Sequence, residues 1–450
     1  MIVPSNNLLF AVGGLVLPCS ALAVLEPQAL FIVLAAIAAL TLIALLDAAL
    51  AYGRLNGVTF VLPEVVRLTK DREGSLTIDI KNETGRSYRL RIGIAFPREI
   101  GTQQQDLLTL TPEGMPGAHV SWPIKPAKRG NYLLDRVYVE TPSPLGFWAV
   151  RGAKSAHCEL RVYPNLLTER RRLAAVFLNR GTFGVHAQRQ VGQGREFEKL
   201  REYIPGDGYD EVHWRATAKR GRPISKVFQI ERTQEVYVIV DTSRLSARTV
   251  RMPVDSSGEI IEVSYLERFI TAALLLGLVA ERQGDLFGLL TFGDRIRSFV
   301  RAKTGQAHFN ACRDALYTLE PETVNPDFNE LFAFLRLRLR RRALLLFLTN
   351  LDDAVLKDSF VHDIDLIRRQ HLCLVGMMNP PGVRPLFSDP GVESVADIYN
   401  SLAGHLMWHD LREVERVLHR KGVRFFMLEN ERMCADIVTQ YTNVKQRQLI

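Results

Sequence analysis

Two uncharged apolar runs open the chain, over residues 8–25 and 27–46. A helix that crosses a bilayer takes about twenty apolar residues. The second run meets that length, and the first does so only with Asn7 and its neighbours included. Glu26-Pro27-Gln28 is a short polar connection, so residues 1–52 are predicted to form a transmembrane helical hairpin. No basic residue precedes the first run, which argues against a cleaved signal peptide. Arg54, Arg67 and Lys70 follow the second run, while the connection carries no basic residue. The positive-inside rule then places residues 47–450 and the N-terminus in the cytoplasm, in a multi-pass protein of the inner (cytoplasmic) membrane.

After residue 57 the pattern shortens to period two. Leu76-Thr77-Ile78-Asp79-Ile80 alternates, as do Leu90-Arg91-Ile92-Gly93-Ile94 and residues 132–139. Turn residues separate these runs at Asn82-Glu83-Thr84-Gly85 and Lys128-Arg129-Gly130-Asn131. Strands at this spacing predict an all-β sandwich, immunoglobulin-like, over residues 57–165. A basic connector follows over 166–234, with a helix near 167–178. From residue 235 strands alternate with helices. Strands are expected at 236–240, 286–292, 296–301, 343–348, 372–377 and 423–428. Helices are expected at 260–282, 308–319, 328–339, 357–369, 411–420 and 432–441. That alternation predicts a doubly wound α/β domain over 235–450.

Composition narrows the reading in two places. The net charge of +8 permits anionic partners. Its basic clusters, Arg170-Arg171-Arg172 and the run from Arg336 to Arg342, are bracketed by apolar residues and lack an aromatic platform. They read as membrane-adjacent surface, and no nucleic-acid partner is expected. The five cysteines are scattered without ligand spacing, so neither a zinc site nor a disulfide framework is expected.

Charge, aromatics and turn residues concentrate between Gly192 and Gly221. Glu196-Phe197, Leu200-Arg201-Glu202-Tyr203, Pro205-Gly206-Asp207 and the run His213-Trp214-Arg215-Ala216-Thr217-Ala218-Lys219-Arg220 follow one another in order. This series resembles the signature of the domain of unknown function 58 family. It departs from the pattern at Tyr209-Asp210-Glu211, where a basic residue is usual. Two readings of the stretch stand side by side. Arg201, Glu202, Asp207, Trp214 and Arg215 form a docking surface, or the arginines pair with Glu196, Glu202 or Asp207 while Trp214 packs between domains. The resemblance implies a MoxR-type AAA+ ATPase as partner, and so an adaptor or scaffold in protein complex assembly or remodelling.

Asp241-Thr242-Ser243 ends the first strand of the α/β domain, and Asn350-Leu351-Asp352-Asp353 follows the strand at 343–348. These resemble the von Willebrand factor A fold, in which an Asp-x-Ser-x-Ser loop, a threonine and a later aspartate hold a divalent ion. Oxygen donors of that kind suit magnesium. Here the second serine position is Leu245, with Ser246 one place late, and Val324-Asn325-Pro326-Asp327 stands where the threonine belongs. Asp241, Ser243, Ser246 and Asp352 are the metal candidates. The competing reading is that Asp241 and Ser243 satisfy backbone donors of the following loop.

The sequence contains no GxxxxGK, GxSxG or HExxH motif. His308 and Cys312 sit at helical spacing with no third partner. The expectation is a membrane-anchored, non-enzymatic scaffold with no certain cofactor. One alternative is a magnesium-dependent protein-binding module. Another is a hydrolase using the signature carboxylates Glu196 and Asp207 with His213.

Overall fold

The computed structural model describes residues 1–25, 30–104, 106–111, 117–179, 191–205, 208–229, 234–253, 260–386, 388 and 394–447. It divides into two compact units, Met1–Asn165 and Leu166–Ile450.

The first unit begins with a short strand, β1 (Ile2–Pro4), and two apolar helices, α1 (Asn6–Leu25) and α2 (Leu30–Ala51). By length and composition α2 is able to cross a membrane, and α1 contains a shorter apolar stretch, Asn6–Leu22. Strands β2 (Val58–Val61), β3 (Val65–Thr69), β4 (Gly74–Asn82), β5 (Tyr88–Ile94), β6 (Ile100–Thr102), β7 (Leu107–Thr111), β8 (Gly117–Pro126), β9 (Gly130–Pro142) and β10 (Trp148–Tyr163) follow. They make two sheets, ordered β1-β10-β9-β5-β7 with β3 beside β10, and β2-β4-β8-β6. Alternating positions of both sheets, Leu76 and Ile78 from one and Leu90 and Ile92 from the other, share one buried core with Trp122. The period-two pattern thus found its cause in a half-buried pleat.

One detail of this unit has no counterpart in the sequence reading. α2 runs on past the apolar run to Asp47, whose side chain is wholly buried. Its carboxylate accepts from Ser143 Oγ at 2.6 Å, Leu145 N–H at 2.9 Å and Phe147 N–H at 3.2 Å. These donors come from the turn between β9 and β10. Trp148 Nε1 donates to the Ala44 carbonyl at 2.8 Å. At the other end of the helical segment, Ser5 N–H donates to the Phe147 carbonyl at 2.9 Å, and Ser5 Oγ to that of Gly146 at 2.5 Å.

The second unit opens with α3 (Leu167–Asn179), β11 (Val191–Glu202), α4 (Trp214–Arg220) and β12 (Ile224–Gln229). Then come β13 (Glu235–Asp241), β14 (Thr249–Pro253), β15 (Ile260–Ser264), α5 (Tyr265–Arg282), β16 (Leu286–Phe292), β17 (Ile296–Lys303), α6 (Gln306–Leu316), α7 (Phe328–Arg338), β18 (Ala343–Leu348), α8 (Ala354–Asp363), β19 (Leu372–Met378), α9 (Val395–Arg420), β20 (Arg424–Leu428) and α10 (Met433–Gln446). The main sheet has the order β17-β16-β13-β18-β19-β20, parallel throughout except for β17. Both faces are covered, so its strands are continuously apolar. Val236, Val238 and Val240 of β13 pack with α5, α6 and α10. Tyr237 and Ile239 pack with α7, α8 and α9 on the other face.

Two elements differ from the sequence expectation. Residues 260–264 form a strand paired with β14 rather than the first turns of a helix. Ile260, Ile261 and Val263 are β-branched and suit a strand. Ser264 then starts α5 by accepting from Glu267 N–H. The helix expected from residue 411 begins sixteen residues earlier, at Val395, behind a capping box of Ser394 and Asp397. Gly404 inside it permits a close approach, because a Cβ there would lie 2.1 Å from the Gly382 carbonyl oxygen.

His371 precedes β19 and is almost fully buried, with no partner for either ring nitrogen among the described residues. Burial holds its pKa below the ordinary 6.5. The unfolded chain therefore takes up a proton first. Stability is full above about pH 6.5 and falls as pH drops from there towards the depressed folded value. The expected slope is up to about 1.4 kcal/mol per pH unit. Comparing urea midpoints at several pH values for the wild-type chain and for His371→Leu checks this; equal slopes would refute it.

Candidate functional site

The signature stretch folds as a two-stranded ribbon with a short helical insert. β11 and β12 pair antiparallel, with Arg201 opposite Ser225 and Glu202 opposite Ile224. Residues 209–211 make one 3-10 turn before α4. His213 serves as the N-cap of the insert. Its Nδ1 accepts from Ala216 N–H at 3.0 Å and caps α4. Gly221 closes the helix in the left-handed region, φ 67°, and donates to the Thr217 carbonyl. Thr217 Oγ1 accepts from Ile224 N–H, and His213 N–H donates to the Ile224 carbonyl, so α4 is stitched to the ribbon.

What this scaffold leaves outside is aromatic and basic. Tyr209 is 81% exposed and Trp214 63% exposed. Arg215, Lys219, Arg220 and Arg222 are exposed beside them in sequence. Glu202 pairs with Arg222 at 2.5 Å, both largely solvated. Arg201 Nη1 reaches the Glu202 carbonyl at 3.4 Å, and Tyr203 N–H donates to the Pro223 carbonyl. Glu196 and Phe197 lie on β11, but their side chains fall outside the described residues, as do Gly206 and Asp207 altogether. The sequence reading names Tyr209 only as a departure from the signature and not as a docking residue; an aromatic between turn glycines and charged residues was the available signal.

A second cluster sits where the main sheet reverses direction. The chain runs from β13 out to β16 and β17, then returns to place β18 on the other side of β13. Ligands of open α/β sheets bind at such a switch point, beyond the carboxyl ends of the strands. Asp241 ends β13 there. Its carboxylate accepts from Ser243 N–H at 2.8 Å and from Thr349 Oγ1, just past β18, at 2.6 Å. Complete burial raises the Asp241 pKa, against the pull of the Ser243 and Thr349 hydrogen bonds. Ser246 Oγ donates to the Ser243 carbonyl at 2.8 Å, and Asn350 Nδ2 to that of Leu245 at 3.3 Å.

Arginines occupy the rim. Arg248 pairs with Asp352, whose side chain is nearly all buried. Arg244 bonds Asn325 Oδ1 at 2.5 Å and Asp353 at 2.9 Å. The Asn350 Oδ1 and Asp352 Oδ1 atoms are buried with no partner among the described residues. Two spare acceptors do not make a magnesium site, because the remaining donors are taken by the protein. Asp241 is satisfied internally, and a guanidinium already neutralises Asp352. No group of three His, Cys, Asp or Glu side chains among the described residues is arranged to hold a metal. This donor set does not fit a divalent ion. Thr349 was missed by the sequence reading, which looked for the threonine near residue 328; there Asp327 caps α7 by accepting from Glu330 N–H. Magnesium is expected to leave the unfolding temperature of the chain unchanged. A rise that Asp241→Asn abolishes would reverse this conclusion.

His308 and Cys312 are likewise engaged in structure. His308 Nε2 donates to the Phe287 carbonyl at 2.7 Å. Burial pushes the Cys312 thiol up to about 12, so little thiolate is present at neutral pH.

The crystal structure of the conserved hypothetical protein BatB from Bacteroides thetaiotaomicron is similar to this chain at 10% identity, with a TM-score of 0.28, covering 48% of this chain and 99% of that one. No curated protein matches the chain. Residues 199–382, which take in the signature from Leu200 onward and the end of β11, match the family described as "Protein of unknown function DUF58".

Proposed function

We propose that this chain is a membrane-anchored scaffold that presents the signature ribbon to a protein partner. The observation that carries the reading is the exposure of Trp214 and Tyr209 on a ribbon whose polar residues hold its own backbone. Trp, Tyr and Arg are the side chains that most often dominate interface energetics. The basic neighbours Arg215, Lys219 and Arg220 favour an acidic partner surface. The signature's resemblance implies a MoxR-type AAA+ ATPase in that role, serving protein complex assembly or remodelling. A von Willebrand factor A-like architecture for the second unit is supported by its parallel sheet with one antiparallel edge strand. The length and apolarity of α2 support the membrane anchor. The meeting of Ser5 and Asp47 at one turn supports a hairpin whose ends lie on the same side. Arg54, Arg67 and Lys70 favour the cytoplasmic side for the rest.

The test is affinity purification of the tagged full-length chain from gently solubilised native membranes, with ATP and with a non-hydrolysable analogue. A co-purifying AAA+ ATPase is expected. Trp214→Ala should weaken its capture by about 30-fold, the equivalent of about 2 kcal/mol at a binding hot spot. Recovery of the folded chain without an ATPase under either nucleotide would overturn the partner assignment. Undiminished capture by Trp214→Ala would overturn the docking surface.

A further inference from the structure

We propose that the turn over residues 143–148 is a lipid-contacting foot of the β domain, seated at the boundary between headgroups and acyl chains. This rests on the reading of α2 as a membrane span.

The argument starts from which face of α2 the protein covers. Only Val33, Ala44, Asp47 and Ala51 are buried along its 22 residues. Ala44, Asp47 and Ala51 fall on one stripe at the helix end, spaced three and four apart. Leu45, Leu46 and Leu50 in the same turns are exposed. The β domain therefore grips one face of the last two turns and leaves the other apolar face to its surroundings.

The grip is the β9–β10 turn, and its level along the helix is fixed by hydrogen bonds. Asp47 holds the Leu145 and Phe147 N–H groups, and Ala44 holds the Trp148 indole. Ala51, which joins the core of the β domain, lies four residues beyond Asp47. At 1.5 Å of rise per residue, the turn reaches back about 6 Å along the span from that core. It thus projects along the helix towards its apolar part. The start of α1 meets the same turn through Ser5, so both helix ends are tied at this level.

The chemistry of the turn suits that depth. Leu145 at its tip is 57% exposed, and Phe147 and Trp148 are half-buried. Tryptophan is enriched in the interfacial layer, where its ring is apolar and its N–H finds a partner. A carboxylate so near an apolar span is costly unless it is satisfied. The three donors from the turn satisfy Asp47 without bulk water. The partner that fits an apolar tip continuous with a span is the bilayer itself.

The experiment uses the full chain, with Cys19→Ser, in nanodiscs of phosphatidylcholine brominated at a shallow or a deep acyl position. An environment-sensitive fluorophore is attached to Leu145→Cys, to Leu34→Cys within the span, or to Leu133→Cys. Leu133 is an exposed residue ten positions before the turn on β9, about 30 Å away along the strand. Shallow bromines are expected to quench the Leu145 probe strongly and deep ones weakly. The Leu34 probe should show lipid quenching, and the Leu133 probe none. A Leu145 probe as insensitive as Leu133, with Leu34 quenched, overturns the foot and leaves the span standing. An unquenched Leu34 probe overturns the span reading and the foot with it.

Discussion

Glu169→Ala is expected to destabilise the second unit by about 3–5 kcal/mol, the cost of leaving one partner of a buried ion pair uncompensated. Glu169 on α3 lies 2.8 Å from Arg268 on α5, with both side chains almost completely buried. Arg268 also donates to the Asn430 carbonyl at 2.6 Å, just before α10. A single guanidinium thus joins the first helix of the unit to the start of its last. Beside it, Cys434 is raised to about 12, by burial first and then by the Glu169 charge. Without Glu169 the guanidinium keeps one carbonyl and a weak claim on solvent. Hydrogen exchange in α5 and α10 reads the loss directly. The double variant Glu169→Ala/Arg268→Met should recover much of it, since buried pairs are often replaceable by apolar side chains. A single-variant loss below about 1 kcal/mol would show that Arg268 relaxes to water and that the clamp is unimportant.

A comparable loss, about 3–5 kcal/mol, is expected for Asp285→Ala. Asp285 immediately precedes β16 and is fully buried. It accepts from Gln234 N–H at 3.2 Å, from the Tyr441 hydroxyl and from Lys445 Nζ at 2.8 Å. Truncation strands a backbone donor and a phenol and leaves the Lys445 ammonium with the Gln283 carbonyl alone among its described partners. The Tyr441 hydroxyl titrates well above the ordinary tyrosine range, first through burial and then through the adjacent Asp285 charge. Tyr441→Phe removes one donor and leaves Lys445 in place, so its expected cost is only about 1 kcal/mol. Chemical denaturation of the three proteins ranks them. Equal losses for Asp285→Ala and Tyr441→Phe would mean that Lys445 and Gln234 contribute nothing.

The order of these two units was legible wherever one physical cause dominated. Alternation in β4 and β5 followed from a pleat with one buried face, and the apolar run of β18 from a strand covered on both. Misreadings arose where two causes overlapped. Residues 260–282 are rich in apolar side chains from end to end, yet the β-branched start belongs to a strand, and the Ser264–Glu267 cap marks the change. The first half of α9 was missed because Val395, Ile398, Tyr399, Leu402 and Leu406 remain exposed while Gly404 reads as a breaker. In the signature stretch the sequence pointed to a specialised segment but could not divide its residues. His213 and Thr217 hold the scaffold, whereas Trp214 faces outward, a distinction made by backbone partners that have no trace in spacing. The role of Asp47 leaves no local trace, because its donors lie about a hundred residues away in the chain.

The clamp between α3, α5 and the segment before α10 also separates recognition from folding. The family match covers residues 199–382, which leaves out α3 and, at the other end, all of α9, β20 and α10. Leu173, Leu428, Cys434, Ile437 and Tyr441 in those omitted parts belong to the same core as β13 and α5. A fragment cut at the limits of the match would expose that face of the sheet, leave β19 as an open edge, and take from Arg268 its Glu169 and Asn430 partners and from Asp285 its side-chain partners Tyr441 and Lys445. The stretch by which relatives are found is shorter than the stretch that can stand alone. Work on an isolated soluble piece should therefore begin near Leu166 and keep the C-terminal helix.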